Sequence, residues 1–314
     1  MPDLAVVTGA LSYTGRAVAR ELRARGLALR TLTNRRVPLA PLDGTPRIEA
    51  RPLQFEDPSA LEDALRGARL LVNTYWVRYP FVGVSFERAV ENTEVLLQAA
   101  RRAGVTRVVH ISVSNPSLRS KLGYYRSKAI VEERVHACGL PFAIVRPTLI
   151  VGEHDILVNN IAWFLRSFPI FAMPGSGHYR LQPITLDDVG RIVADAALLD
   201  ESVTLDAAGP EVMTFEELVR AIAAATGQQA RILHVPPWFA LGLIRAVGWI
   251  MREVILSREE LAGLMEELLV SNEPPRGTES VRIWLAGHVD QLGRRYAAEL
   301  ARRRRVDYFK NIKY

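Results

Sequence analysis

Three groups of residues in this chain could carry chemistry. Tyr124 and Lys128 stand four apart in Tyr124-Tyr125-Arg126-Ser127-Lys128-Ala129, so on a helix both project from one face of one turn. An ammonium beside a phenol favours the phenolate and brings the tyrosine toward the working range of a general acid. Ser112 and Ser114 come shortly before them, at the end of an apolar run from Val105. Near the start, Leu4-Ala5-Val6-Val7 breaks into Thr8-Gly9-Ala10-Leu11-Ser12-Tyr13-Thr14-Gly15 and then into a helical pattern. A strand that turns through glycine into a helix offers N–H groups and a positive dipole end to a pyrophosphate. Gly9 and Gly15 permit the tight turn and close helix–strand packing, while Ser12 stands where the dinucleotide fingerprint has its middle glycine. Thr8, Tyr13 and Thr14 complete the candidate cofactor residues of this turn.

These groups need a sheet to hold them. Residues 27–33 read as a second strand ending at Asn34-Arg35-Arg36. An NAD-preferring site usually has an acid there, whereas an arginine accommodates a 2′-phosphate, so the two arginines point to NADP, with NAD left open; Asn34 and Arg35 are counted with the cofactor residues. A third strand at 48–53 ends at Gln54 and Phe55, which are counted with the cofactor residues, and a helix from Pro58 takes Ser59 as its cap. A fourth strand over 69–73 puts Asn73 at a carboxyl end, where open α/β sheets bind ligands. Phe86, Val90, Leu96 and Ala99 mark a helix that ends at Gly104, and 105–112 is strand five. This alternation predicts a Rossmann-type doubly wound parallel α/β sheet over 1–209, with a substrate-side insertion at about 150–185.

A smaller, mostly helical lobe is expected over 210–314. Thr214 and Glu217 form a capping box, and helices are predicted over 237–251, 258–269 and 280–303, with Trp284, Leu292 and Tyr296 inward. The segment Trp238–Trp249 reads as core, as a lid over an apolar substrate, as a dimer contact or as an interfacial helix. Residues 235–256 should not span a bilayer, because Arg245, Arg252 and Glu253 interrupt them.

Composition narrows the partners. The net charge of +6 is concentrated after residue 300, where six basic residues and one acid give +5 and leave the body at +1. No nucleic-acid partner is expected; peripheral membrane contact is a minor reading and a homo-oligomer is left open. Cys138, the only cysteine, leaves no disulfide framework and no cysteine metal site, and no metal is expected. A cytoplasmic setting is the default, and no signal-peptide pattern opens the chain.

Taken in order, Thr8-Gly9-x-x-Ser12-x-x-Gly15, Asn92, the serines after strand five, Tyr124-x-x-x-Lys128 and Ile144-Val145-Arg146-Pro147-Thr148 resemble the short-chain dehydrogenase/reductase superfamily. The resemblance covers about residues 4–209 and is closest to the extended and atypical branches, which include sugar-nucleotide epimerases, NmrA-like proteins and the nucleotide-binding accessory subunit of respiratory complex I. It implies Tyr124 as acid/base, Lys128 as the residue that binds the nicotinamide ribose and tunes Tyr124, and Ser114 as the substrate-polarising hydroxyl, with Ser112 as the alternative. It further implies Pro147 and Thr148 against the nicotinamide, Asn73 near the cofactor ribose, and substrate-side positions at Asn159 and His178. Trp238 joins these if its segment lines the pocket. The expected activity is NADP-dependent hydride transfer between nicotinamide and a carbonyl or alcohol of a small molecule, one less polar than a nucleotide sugar if the Trp238–Trp249 segment lines the pocket. The alternatives are a sugar-nucleotide epimerase or dehydratase with retained NAD and a non-catalytic NADP-binding sensor or accessory subunit.

Overall fold

The structure is a computed structural model that describes residues 3–34, 48–80, 84–229, 231–251, 256–294 and 296–297. Arg35 lies outside the described residues, as does the basic tail. The first half alternates as the apolar pattern predicts: β1 (Leu4–Thr8), α1 (Tyr13–Ala24), β2 (Ala28–Leu32), β3 (Glu49–Arg51), α2 (Pro58–Leu65), β4 (Ala68–Asn73), α3 (Phe86–Arg102), β5 (Arg107–Ile111), α4 (Gly123–His136) and β6 (Phe142–Pro147). There follow β7 (Leu149–Val151), α5 (Leu157–Ser167), β8 (Ile170–Pro174), β9 (Arg180–Leu181), β10 (Pro183–Thr185), α6 (Leu186–Ala197) and β11 (Val203–Ala207). The remainder comprises β12 (Met213–Thr214), α7 (Phe215–Ala225), β13 (Arg231–Val235), α8 (Pro237–Met251), α9 (Arg258–Met265) and α10 (Val281–Gly287).

The chain divides into two compact units. The first contains Met1–Pro147, Leu186–Ala207 and Glu273–Gly277. Its seven strands pair in the order β11-β6-β5-β4-β1-β2-β3, all parallel, so the order reverses between β1 and β4. That reversal is the point at which doubly wound sheets bind ligands. Val6, Leu71, Val108 and Ile144 from four strands, with Leu61, Leu96 and Val131 from the helices, form one buried cluster. Burial on both sides explains why these strands read as continuous apolar runs. On another flank, α6 closes on α1 through Gly190, where a Cβ would stand 2.9 Å from the carbonyl carbon of Ala17.

The second unit gathers Thr148–Thr185, Ala208–Asn272 and the described residues from Thr278 onward. It combines helices with three strand pairs, β7/β10, β8/β13 and β9/β12, around Ile161, Met173, Leu218, Ile222, Leu264 and Trp284. The capping box at Thr214 and Glu217 forms as the sequence predicts. Three local expectations need correction. The cap of α2 is Asp57, whose carboxylate accepts from Ala60 N at 3.0 Å, while Ser59 donates to that carboxylate. The predicted helix 258–269 stops at Met265, because Glu267 takes a left-handed φ of 55°. The helix expected over 280–303 ends at Gly287 as α10, and Gly293 turns with φ 66° where a Cβ would meet Ala162 backbone at 2.5 Å; residues 298–303 lie outside the described residues. Among the described residues no helix is long and apolar enough to cross a membrane.

Candidate active site

At the carboxyl end of β1 the chain turns at Gly9, with φ 70°, and this turn is held from three sides. Gly9 N donates to Leu32 O at 2.9 Å and Ser12 N to Gly9 O at 2.7 Å. Thr31, a buried residue of β2, accepts from Ala10 N at 3.0 Å and donates to Val7 O at 3.1 Å. Gly15 seats the first turn of α1 directly on this loop, since a Cβ there would lie 2.1 Å from Gly9 O. Of the fingerprint's two glycines, Gly15 is thus required by contact and Gly9 by its left-handed φ. Ser12 is the N-cap of α1: its backbone is extended, with φ −77°, and its Oγ accepts from Gly15 N at 3.2 Å. A serine therefore fits here without a glycine-only conformation. Tyr13 and Thr14 open the helix, both half-buried.

The Ser12 cap yields a graded expectation. Ser12→Ala removes the cap oxygen and costs about 1 kcal/mol, whereas Ser12→Gly costs a few tenths. The alanine variant should melt about 2–4 °C lower, and the glycine variant should bind NADPH at least as tightly as the parent in calorimetric titration.

Several candidate residues serve the scaffold. Thr8 is buried; its Oγ1 donates to Asn73 Oδ1 at 3.2 Å and accepts from Thr74 N at 2.8 Å and Tyr75 N at 3.1 Å. Thr74 Oγ1 in turn donates to Thr8 O. Asn73 is fully buried, and its amide donates to His110 Nδ1 at 3.1 Å while Oδ1 also accepts from Tyr75 N at 3.0 Å. Thr8, Asn73 and His110 thus cross-link the carboxyl ends of β1, β4 and β5, which makes Thr8 and Asn73 positioning residues. Asn34 brackets Leu53, donating to its carbonyl at 2.7 Å and accepting from its N–H at 2.9 Å, and so ties the chain after β2 to the chain after β3. Gln54 is exposed, and Phe55 packs on Tyr75 with ring centres 4.7 Å apart. Asn92 donates to the Tyr75 hydroxyl at 2.9 Å.

The candidate reactive residues stand on β5, on the chain just after it and on α4. After β5 the backbone continues along β6, with Ser112 N donating to Val145 O at 2.8 Å and Ser114 N to Pro147 O at 2.9 Å, and both serines are buried. Lys128 is 3% exposed. Its Nζ donates to Ile111 O at 2.8 Å and lies 4.5 Å from the centre of the Trp76 ring. Burial drives its pKa from 10.5 down to about 7, partly opposed by Glu132 one turn further along α4. Glu132 is itself engaged by the guanidinium of Arg146 on β6, at 2.5 to 3.2 Å. Tyr124 is half-buried and meets Trp76 and Phe86 edge-on, with ring centres 6.2 and 5.9 Å apart. Burial, with Lys128 nearby, holds His110 well below its ordinary pKa and therefore neutral. Since Asn73 donates to His110 Nδ1, the imidazole proton is assigned to Nε2.

Among the described residues Ser112 Oγ, His110 Nε2 and Trp76 Nε1 are buried without a hydrogen-bond partner. These three follow or close β4 and β5 at their carboxyl ends, the side of the sheet on which doubly wound folds take ligands. Together with the glycine cradle, they fit a bound NAD(P)H dinucleotide. Thr31, Trp76 and His110 are the site residues the sequence reading missed; His110, the lone ionisable residue in Val108-Val109-His110-Ile111, was the available signal.

The remaining candidates belong to the second unit. Thr148 Oγ1 donates to Gln182 O at 2.5 Å. Asn159 is buried and donates to Asp155 O at 2.9 Å and Glu153 O at 3.1 Å. It helps form the turn in which the Asp155 carboxyl, pushed up to about 7 by burial, caps α5 through Val158 N. His178 and Trp238 are exposed. Among the described residues no group of histidine, cysteine and carboxylate side chains could hold a metal ion.

Comparison with known proteins bears on the same region. Residues 9–158 match a family described as NAD(P)H-binding. The chain is 23% identical over 293 residues to the mitochondrial NADH dehydrogenase (ubiquinone) 1 alpha subcomplex subunit 9 of Arabidopsis thaliana, covering 86% of this chain and 71% of that protein. It is 28% identical over 270 residues to sterol demethylase protein B of Methylococcus capsulatus, covering 76% and 79%. An NADPH-dependent quinone oxidoreductase of Escherichia coli, solved with NADPH, shares the fold with a TM-score of 0.70 at 18% identity, over 92% of this chain and 99% of that one. Residues 9–158, just under half of the chain, therefore match an NAD(P)H-binding family, and the chain shares its fold with that reductase.

Proposed function

We propose that the protein is an NADP(H)-dependent oxidoreductase acting on a carbonyl or alcohol group of an apolar molecule. The observation that carries this reading is Lys128: a buried ammonium one helical turn from Tyr124, bonded to the carbonyl of Ile111, the residue before Ser112. Bound NADPH supplies the hydride. Tyr124 gives its phenolic proton to the substrate oxygen in reduction and takes it back in oxidation. Lys128 in its charged form stabilises the phenolate left behind. Ser114, or Ser112 with its open hydroxyl, holds the substrate oxygen. Arg146 and Glu132 fix α4 against β6, and Thr8, Asn73 and His110 fix the strand ends beneath. An apolar substrate agrees with the sterol named in the relative from Methylococcus capsulatus.

The test is Tyr124→Phe, assayed with NADPH and a panel of quinones and steroid ketones. Turnover should fall by about 10²–10⁴, while the NADPH dissociation constant stays within about threefold of the parent's. Undiminished turnover in the variant would remove Tyr124 from the mechanism. The similarity to a respiratory-complex subunit favours a second reading, an NADP(H)-binding accessory subunit without turnover. Its signature is saturable NADPH binding by the parent with no hydride transfer to any member of the panel.

A further inference from the structure

Of the twelve large apolar side chains exposed among the described residues, six lie in one small part of the second unit: Ile170 in β8, Leu233 in β13, and Trp238, Phe239, Leu243 and Trp249 in α8. Strands β8 and β13 pair with each other, and α8 packs on β8. Trp238 is 73% exposed and Trp249 82%. They are eleven residues apart, which on an α-helix places them within about 20° of each other around the axis and about 16 Å apart along it. Two indoles stand on one line at the two ends of the helix, and Phe239 and Leu243, about 100° and 140° further round the axis, widen this into a broad exposed apolar face.

The polar chemistry of this face has one sign. Across Pro237–Met251 there is no acid, and the single charge, Arg245, is exposed and falls within about 20° of the tryptophan line. A long arginine at that position can lie between the two indoles while its guanidinium reaches lipid phosphates. The same chain carries +5 after residue 300, against +1 in the rest. A helix of fifteen residues is about 22 Å long, short of the roughly 30 Å hydrocarbon core. Aromatic anchors, an acid-free exposed face and a separate cluster of positive charge are the two signals, apolar and electrostatic, that together retain a protein on anionic bilayers.

We propose that the exposed face of α8 lies in the plane of a membrane surface and docks the protein on bilayers that contain anionic lipid. The test uses the full chain with vesicles of phosphatidylcholine alone and of phosphatidylcholine with 30% phosphatidylglycerol, read by co-sedimentation and by quenching of tryptophan fluorescence with brominated acyl chains. The expected result is binding to the anionic vesicles at least tenfold tighter than to the neutral ones, weakening with salt. The double variant Trp238→Ala/Trp249→Ala should bind at least tenfold more weakly and lose most of the quenching. Its melting temperature and NADPH affinity should stay those of the parent, because both side chains are exposed. Equal binding by parent and double variant, or equal binding to both lipid compositions, overturns the proposal. So does sedimentation equilibrium without vesicles showing a parent dimer that the double variant dissociates, which would make this face a contact between copies of the chain.

Discussion

Lys128→Met is expected to abolish turnover while flattening the dependence of stability on pH. The parent's amine is buried, with a folded pKa of about 7 against 10.5 for the free side chain. Between those values the unfolded chain holds a proton that the folded chain has released, so parent stability rises with pH from about 7 to about 10.5. Below pH 7 both states are protonated and the desolvation penalty, on the order of a few kcal/mol, is fully present. Methionine removes that penalty, and it also removes the bond to Ile111 O and the contact with the Trp76 face, which together offset it by a similar amount. The sharp expectation is therefore the slope. Melting temperatures taken from pH 6 to pH 10 should rise for the parent relative to the methionine variant. Parallel curves would mean that the amine is charged in the folded protein throughout. The same lysine sets the activity profile. Ketone reduction needs the phenol protonated and the ammonium charged, so turnover should hold below pH 7 and decline as pH rises through about 7. No comparable decline should remain in residual activity of the variant.

Gly15→Ala should eliminate measurable NADPH binding, with a loss of at least about 100-fold, or close to 3 kcal/mol. A Cβ at this position would stand 2.1 Å from Gly9 O and 2.9 Å from Ser12 Oγ. Both atoms belong to the cradle itself, so relief of the clash must open the turn or lift α1 away from β1. The repair of one overpacked methyl typically costs 1–3 kcal/mol of stability, and the melting temperature should drop by roughly 3–10 °C. Fluorescence titration with NADPH and a thermal melt separate the two effects. Retention of parent affinity would place the dinucleotide elsewhere than on this turn. Gly26, by contrast, has open space around its missing Cβ, so Gly26→Ala should leave NADPH affinity untouched even though its φ of 86° makes the substitution strained.

The sequence by itself determined the doubly wound sheet, the glycine turn and the Tyr124/Lys128 face. Each of these is written in local spacing: apolar runs for strands buried on both sides, Gly9 and Gly15 where a turn and a close approach permit no side chain, and four residues for one helical turn. Tertiary structure alone decided what the polar residues at the strand ends do. Thr8, Asn73 and Asn34 read as open contacts for a cofactor because they stand where sheets bind ligands. Thr8 and Asn73 meet across 65 positions of sequence, and Thr31 reaches the glycine turn across 21. Asn34 finds Leu53 nineteen residues away. A hydrogen bond at such separations is set by strand order and register, which no neighbouring residues encode, and burial then obliges each polar atom to take whatever partner the fold supplies. The same cause hid His110 and Trp76. Their importance lies in atoms left without partners beside a buried amine, a property that exists only once the strands and α4 have packed.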